Sequence, residues 1–264
     1  MSLRCVGARG IRAFEVVGVV VSWLAAIPLT ACKETRNMDA LDSSKYFPDP
    51  KVGSFVDDVQ RGDVVRVKAG LAAGINPNVK GNQDFRPIHF VFFAKDADVL
   101  KLLLAAHADP NAPLANGSTP LHFSVRNRNL EFTRALLAAG ADPNGLGENK
   151  KPHLHEAINQ VNAAAQIKLL VSAGADANVL WGGATPVMSS LEIGQWEAAQ
   201  TLIDLGAGLE VKNHFGETAL DLACQFMQRL PVNDGNRKGI AGVVQSLSRR
   251  NVALPCQTEI DRFR

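Results

Sequence analysis

Histidines are the first residues in this sequence that could carry chemistry. His89, His122 and His155 recur at equal intervals along the chain, and His153 and Glu156 flank the last of them. Such side chains serve as zinc ligands and general bases. The order His153-Leu154-His155-Glu156 nevertheless differs from the His-Glu-x-x-His spacing of metalloproteases. The chain also lacks a Gly-x-Ser-x-Gly nucleophile elbow, a phosphate-binding loop and a Cys-x-x-Cys pair. These patterns predict no enzymatic activity, no cofactor and no metal site.

The N-terminal segment 1–31 has the plan of a secretory signal rather than of a folded element. Arg4, Arg9 and Arg12 form a basic leader, and the apolar run 16–27 follows it. That run is too short to span a bilayer, which takes roughly 20 residues. It ends in Leu29-Thr30-Ala31-Cys32, which resembles the lipobox of bacterial lipoproteins. The alternative is a soluble periplasmic protein that is cleaved nearby.

The lipobox resemblance implies a specific address. Cleavage before Cys32 would make this residue the lipidated N-terminus, and residues 32–50 would then form a flexible tether. Lys33 is not the Asp that the resemblance associates with retention at the inner membrane. We therefore expect an anchor in the outer membrane that faces the periplasm, with no other contact to the membrane.

The remaining cysteines depend on that address. Cys5 leaves with the signal, whereas Cys224 and Cys256 stay in an oxidising compartment. They either form a disulfide that pins the C-terminal tail, residues 251–264, to the last repeat, or stay as two separately buried thiols. The sequence leaves both alternatives open.

Charge argues against nucleic acid as a partner. The net charge is +2, and the segment 1–31 contributes all of it through three arginines and Glu15. The rest of the chain is neutral and has no block of Lys and Arg, so no electrostatic footprint for nucleic acid is present.

The positions that hold the histidines belong to an internal repeat. Two in-phase series of short motifs recur with a period of about 33 residues. The first series is Ile88-His89, Leu121-His122, Leu154-His155, Val187-Met188 and Leu220-Asp221. The second is Ile75-Asn76-Pro77-Asn78, Ala108-Asp109-Pro110-Asn111, Ala141-Asp142-Pro143-Asn144, Ala175-Asp176-Ala177-Asn178 and a degraded Ala207-Gly208-Leu209-Glu210.

The residue types at fixed places in the repeat predict two helices and a turn. Thr119, Thr185 and Thr218 can cap a helix N-terminus, and Pro120 and Pro186 suit a first helical turn. Pairs of large apolar residues then give a second helix its buried stripe. That helix is expected to end in a left-handed residue, which is Gly74, His107, Gly140, Gly174 or Gly206 in successive repeats.

These motifs, with Thr119-Pro120-Leu121-His122 followed by Gly140-Ala141-Asp142-Pro143-Asn144, closely resemble the ankyrin repeat. The resemblance covers residues 51–250. It implies an all-α solenoid of about six helix-turn-helix units joined by short β-hairpin fingers, with atypical terminal repeats. In the last repeat we expect 231–238 to form an inserted loop between the two helices. The recurring histidines are expected to tie neighbouring repeats by hydrogen bonds, since equivalent positions lie too far apart to share one zinc ion.

The resemblance also implies a protein partner and a surface for it. The monomeric stack would bind through finger tips and through the exposed side of the first helices, which form its concave face. Trp181 and Phe215 are the best anchor candidates because aromatic residues dominate binding energy at interfaces. For Trp181 the alternative is packing on an adjacent finger, and Trp196 is expected in the core. The candidate contacts are Asn82, Gln83, Phe85, Asn116, Ser118, Arg126, Arg128, Glu148, Asn149, Lys150, Trp181, His214 and Phe215.

Two known roles would suit a lipid-anchored ankyrin-repeat protein in a bacterial periplasm. The first is an immunity protein that neutralises a secreted toxin, such as a lipase-like effector of type VI secretion. The second is an accessory protein that supports a resident periplasmic enzyme, for example catalase, under oxidative stress. Occlusion of an active site needs no chemistry in the inhibitor, so we expect the immunity role.

Overall fold

The computed structural model describes residues 41–94, 97–229, 231 and 233–256. The expected signal segment 1–31, Cys32 and the first part of the tether lie outside these residues. Within the described ranges no helix combines the length and the apolar character needed to cross a bilayer.

Six consecutive helix pairs make up the described chain, as the repeat pattern predicts. In the second pair the first helix is a 3₁₀ helix, Pro87–Phe93, and all other members are α-helices. The α-helices are α1 (Pro50–Arg61), α2 (Val64–Ala72), α3 (Asp98–Ala105), α4 (Pro120–Arg126), α5 (Leu130–Ala138), α6 (His153–Ala157), α7 (Ala163–Ser172), α8 (Pro186–Glu192), α9 (Trp196–Asp204), α10 (Ala219–Arg229) and α11 (Asp234–Arg249).

The predicted helix boundaries are confirmed at both ends. The Thr119 and Thr185 hydroxyls accept bonds from the backbone N–H groups of His122 and Met188, three positions on. Thr218 caps α10 in the same way. At the other end of the repeat, His107 adopts a φ of 63° in the place that glycine holds elsewhere. The glycines with positive φ in this place are Gly74, Gly140, Gly174 and Gly206.

A short hairpin, called a finger here, connects each repeat to the next, and a backbone hydrogen bond joins the two sides of the hairpin. The donor is the N–H of Leu114, and the acceptor is the Ser118 carbonyl at 2.9 Å. Equivalent bonds join Gly81 to Phe85, Gly147 to Lys151, Trp181 to Ala184 and Asn213 to Glu217. The fingers are therefore minimal hairpins, and the described residues contain isolated bridges rather than a sheet.

An asparagine at the base of each of the first four fingers joins successive repeats, whereas Glu210 takes this place in the fifth. The Asn111 side chain donates to the Gly140 carbonyl at 3.0 Å and accepts from the Asp142 N–H at 2.8 Å. Asn78 and Asn144 make the same pair of bonds to the following repeat. Asn178 accepts from the Gly208 N–H. The four asparagines thus form a ladder that fixes these fingers to the end of the next second helix.

The core is one apolar layer between the helices and runs through all repeats. Leu103, Leu136, Leu170 and Leu202 on the second helices are fully buried. On the first helices Ile88, Leu121, Leu154 and Val187 are buried against them. Because a single helix pair cannot cover its own apolar face, each repeat is stabilised by its neighbours.

The N-terminal boundary differs from the expected one. Residues 41–49, assigned to the flexible tether, pack against the first two repeats. Phe47 is only 3% exposed, the Tyr46 ring centroid lies 4.3 Å from that of Phe85, and the Tyr46 carbonyl accepts from the Asn82 N–H at 2.9 Å. The expectation of a tether is therefore wrong for this part, because its aromatic side chains pack against the first finger and the 3₁₀ helix of the second repeat.

The C-terminal repeat also differs in part. The loop expected over 231–238 is shorter, since α11 begins at Asp234 with the Asn233 side chain as its cap. Beyond α11, Val252 and Leu254 pack against the core. A disulfide joins Cys224 on α10 to Cys256, with Cα atoms 5.7 Å apart. Residues 251–256 of the tail are therefore held to the last repeat, and the disulfide alternative is the one that the structure contains.

Two of the three recurring histidines tie repeats together as expected. His89 Nε2 lies 2.9 Å from the Ala112 carbonyl in the next finger, and His155 Nε2 lies 3.0 Å from the Val179 carbonyl. The expectation is wrong for His122, whose buried Nδ1 has no hydrogen-bond partner. The His122 ring fills the space beside Gly147, and its ring centroid lies 6.3 Å from that of His153.

We expect Asn111→Ala to lower the free energy of unfolding by about 2 kcal/mol, because it removes two hydrogen bonds worth about 1 kcal/mol each. Asn159→Ala is the matched control, since Asn159 is exposed in the turn after α6. Chemical denaturation followed by circular dichroism measures both variants. Equal stability of the two would contradict a structural role for the ladder.

Acidification should destabilise the stack through its buried histidines. Burial lowers the pKa values of His89 and His153 to about 4, and it also lowers the pKa values of His122 and His155. An unfolded histidine has a pKa near 6.5, so the unfolded chain binds more protons between these values. Stability is therefore retained above about pH 6.5 and is lost as the pH falls towards 4, by at most about 1.4 kcal/mol per pH unit for each histidine.

The pH dependence can be assigned to one residue. His153 occupies the repeat position that holds Pro120 and Pro186 elsewhere, so His153→Pro removes one buried imidazole and suits the local backbone. Unfolding free energies measured from pH 7 to pH 4 should depend less steeply on pH in this variant. An unchanged slope would show that His153 is not protonated on unfolding in this range.

Candidate partner-binding surface

Large apolar side chains are exposed at the tips of the last three fingers. Leu146 is 42% exposed, Leu180 54%, Trp181 40% and Phe215 74%. Each lies in or beside the turn of a hairpin, away from the helix layer that forms the core. Transferring this surface out of water would stabilise a complex, so the tips form an apolar stripe along repeats four to six.

Trp181 is held in place by the preceding repeat. Its finger turns through Gly182 and Gly183, both with positive φ, which matches the preference of a two-residue hairpin loop for glycine. The Lys151 ammonium lies 5.0 Å from the centre of the Trp181 ring, and the His155 ring centroid lies 5.8 Å away. Trp181 thus packs on the adjacent finger and still exposes two fifths of its surface, so both interpretations of this residue hold in part.

Phe215 is the most exposed aromatic residue of the stripe. The ring centroids of His214 and Phe215 are 3.8 Å apart. His214 also lies against Gly183 of the preceding finger, where a Cβ atom would collide with the imidazole. The His214 side chain therefore bridges two fingers and leaves Phe215 to project from the tip.

The first helices and the other fingers contribute polar groups to the same surface. Arg126 at the end of α4 and Arg128 in the following turn are exposed. The remaining predicted contacts that are exposed are Asn82, Gln83, Asn116, Glu148, Asn149 and Lys150. Gln83, Asn149 and Lys150 have positive φ, as hairpin turns require.

Two of the predicted contacts are less exposed than expected. Ser118 is only 2% exposed, because its carbonyl closes the finger and its N–H donates to the Asn116 side chain. Phe85 is half-buried between Tyr46 and Phe90. Asn82 is exposed, but its side chain already donates to the Lys45 carbonyl. Trp196, expected in the core, packs against it.

A charge network crosses the surface between repeats three and four. The Glu156 carboxylate on α6 lies 3.0 Å from the Lys151 ammonium and 3.6 Å from the Arg126 guanidinium. Glu156 and Lys151 are largely buried, so this network is more rigid than an exposed ion pair. It also fixes the lysine that packs on Trp181.

Two carboxylates that the sequence reasoning missed lie on repeats five and six. The two Glu217 oxygens accept bonds from the amides of Gln225 at 2.7 Å and Asn213 at 3.1 Å, which lowers the pKa of Glu217. Burial and the charge of Glu217 raise the pKa of Glu192 on α8. No salt bridge joins either carboxylate to a Lys or Arg of the described chain. Their periodic relation to Arg126 and Lys151 could have revealed them.

The described residues offer no arrangement for metal chemistry. No group of three or more His, Cys, Asp or Glu side chains in these ranges is placed to hold a metal ion.

Elsewhere on the surface, α3 and α5 border a groove of about 510 Å³. Its lining is largely alanine and leucine with the charged Lys101, Glu131 and Arg134 at the edges. The candidate site is the apolar stripe on the fingers, because its large apolar side chains are exposed.

A comparison with protein families finds one match. The model described as "Ankyrin repeats (3 copies)" matches residues 59–146 and 88–180. Repeats of this kind typically serve as interaction modules rather than as enzymes. A search of curated proteins found no significant match.

Solved structures include many similar chains, and three show the range. An ankyrin repeat domain from Acinetobacter baumannii AYE, ABAYE2397, has a TM-score of 0.62 at 18% identity and covers 73% of this chain and 97% of its own. The ankyrin repeat domain of Bcl-3, a member of the IκB family, has a TM-score of 0.59 at 22% identity, with 79% and 96% covered.

The third structure contains a protein complex. It is the predatory endopeptidase Bd0816 from Bdellovibrio bacteriovorus with the immunity protein Bd3460, and one of its chains has a TM-score of 0.58 at 21% identity, with 74% of this chain and 97% of that chain covered. At these low identities the TM-scores show the fold alone. Residues 59–180 contain ankyrin repeats, the same helix pair continues on both sides, and the described residues adopt the ankyrin-repeat solenoid fold.

Proposed function

We propose that this protein is a non-enzymatic binding module of the bacterial periplasm, and that it acts as an immunity protein which neutralises a secreted toxin. A lipase-like effector of type VI secretion is the toxin class that we favour. The observation that carries the proposal is the apolar stripe, Leu146, Leu180, Trp181 and Phe215, exposed on consecutive fingers of a rigid stack.

The stripe has the properties of a binding hot spot. Trp181 is preorganised by Lys151 and His155, and Phe215 is positioned by His214, so little conformational entropy is lost when a partner covers them. Aromatic residues in such positions supply most of the energy at protein interfaces. A partner that covers three successive finger tips would also have its own surface occluded, which is sufficient for inhibition.

A similar chain supports the choice of an inhibitory role. In the Bdellovibrio structure an endopeptidase is in complex with an immunity protein. The fold resemblance to one of its chains supports an enzyme as the target of this solenoid. The accessory role with a resident enzyme such as catalase is the competing proposal.

The address forms a second part of the proposal. The basic leader, the apolar run and Leu29-Thr30-Ala31-Cys32 support export and lipidation of Cys32. Because Leu41 already bonds to the first repeat through Gln60, only a short linker would separate the lipid from the stack. The protein would then stay close to the membrane surface.

The lipid anchor is tested by Cys32→Ser. Cells grown with a radiolabelled fatty acid should label the parent protein and not the variant, which should move from the membrane fraction to the soluble fraction or stay uncleaved. Cys5→Ser serves as the control, because the proposed cleavage removes Cys5. Equal labelling of both variants and the parent would exclude Cys32 as the lipid site.

The binding surface is tested with the double variant Trp181→Ala, Phe215→Ala. The full-length protein is crosslinked in cells and purified with its captured partner, and the affinities of the purified parent and variant proteins for that partner are then measured. Each hot-spot aromatic is worth about 2 kcal/mol or more, so we expect the affinity to fall at least about 30-fold for each substitution. Val65→Ala, at an exposed apolar residue of α2, is the control. Unchanged affinity in the double variant would exclude the finger tips as the site.

The immunity role has its own readout. Cells that lack this gene should be killed by toxin-delivering sister cells, and purified protein should block the captured toxin. If the deletion strain stayed fully resistant and only resident periplasmic enzymes were captured, the accessory role would replace the immunity role.

A further inference from the structure

Two repeat positions carry opposite charge in the two halves of the binding surface. Arg126 ends α4 and Glu192 ends α8, which is the equivalent helix two repeats later. The carbonyl groups of Lys151 and Glu217 each accept the backbone hydrogen bond that closes their own finger, and these two residues are also two repeats apart. These two positions therefore hold a basic pair, Arg126 and Lys151, on repeats three and four, and an acidic pair, Glu192 and Glu217, on repeats five and six.

The basic pair has a counterion within the chain. Glu156 on α6 lies between its two members, with carboxylate oxygens 3.6 Å from Arg126 and 3.0 Å from Lys151. The two positive charges on this half of the surface are thus partly compensated before any partner arrives.

The acidic pair has no such counterion in the described chain. The position that corresponds to Glu156, two repeats later, is Leu222, which is 6% exposed and part of the core. Glu217 is oriented by the neutral amides of Gln225 and Asn213. Two further ionisable side chains lie close to Glu217: His214, whose ring contacts that of Phe215, and Asp221, a third carboxylate, which accepts bonds from Thr218.

The neighbouring aromatic groups suit the stem of a long cationic side chain. Phe215, 74% exposed, and His214 precede Glu217 on the same finger. One repeat earlier, the Lys151 ammonium already packs over the Trp181 ring at 5.0 Å. A cation over an aromatic ring is stabilised in this arrangement. A cation that a partner supplies would therefore meet the same combination of aromatic ring and carboxylate at Phe215 and Glu217.

We propose that the partner presents a lysine or arginine that binds between Glu192 and Glu217 with its aliphatic stem against Phe215. This cation would do for the acidic pair what Glu156 does for Arg126 and Lys151. The inference rests on the proposed function, in which the finger tips bind a protein, and it adds the chemistry of the residue recognised at repeats five and six.

A defined probe tests this chemistry without knowledge of the partner. A random twelve-residue peptide library displayed on phage is panned against the purified full-length protein. We expect the selected peptides to be enriched in Lys or Arg beside an apolar residue. The double variant Glu192→Lys, Glu217→Lys should select peptides enriched in Asp or Glu at the same place. Enrichment without basic residues, or no enrichment, would overturn the proposal.

Neutral variants give the matching affinity test. Glu192→Gln with Glu217→Gln should weaken the selected peptides, and the captured partner, about 30-fold or more, and should reduce the salt dependence of binding. Glu197→Gln on the outer helix α9 is the control and should leave affinity unchanged. If Trp181→Ala with Phe215→Ala abolishes binding while the neutral variants do not, the cation proposal fails and the finger-tip surface stands. If neither double variant alters binding, the surface itself is wrong.

Discussion

The asparagine ladder is the interaction on which the rest of this structure depends. Each repeat leaves an apolar face that only its neighbour can cover, so two repeats must meet in a fixed register. Asn111 sets that register with two bonds, one to the carbonyl of the left-handed residue Gly140 and one to the N–H of Asp142. Even where His107 replaces glycine, Asn78 bonds to the His107 carbonyl in the same way. The helix end, the finger base and the next repeat are thereby coupled.

This coupling separates the positions that maintain the fold from the positions that are free to vary. The finger base is fixed by the ladder and by one closing backbone bond, whereas the tip beyond them contributes nothing to the core. The finger that contains Trp181 illustrates the freedom, since its two-residue Gly182-Gly183 turn brings Trp181 next to the tip without disturbing Asn178 or Thr185. Large apolar residues at such tips destabilise nothing inside the stack and are available for a partner.

Sequence patterns predicted most of the fold because each rests on a local rule, whether capping by Thr119, the left-handed glycines or the repeat period. Apart from His122, the errors in the fold concern contacts that the period does not contain. Tyr46 and Phe47 precede the repeats, so nothing in the pattern indicated that they pack against the first two units.

The candidate site was less predictable from the sequence, because exposure and charge pairing depend on three-dimensional neighbours. Ser118 has the position of a tip residue, yet its carbonyl closes the finger and its side chain is buried. Glu192 and Glu217 lie on different repeats, and only the packed stack shows that neither forms a salt bridge with a Lys or Arg of the described ranges.

The uneven charge of the surface assigns different tasks to its parts. In salt near physiological strength, exposed charges act over about 8 Å, and the body of the protein is close to neutral. The acidic pair therefore cannot attract a partner from a distance. It acts when the partner is already in contact, where an unmatched charge costs free energy and a matched cation is favoured. Affinity would then come mainly from Trp181 and Phe215, and discrimination between partners from Glu192 and Glu217.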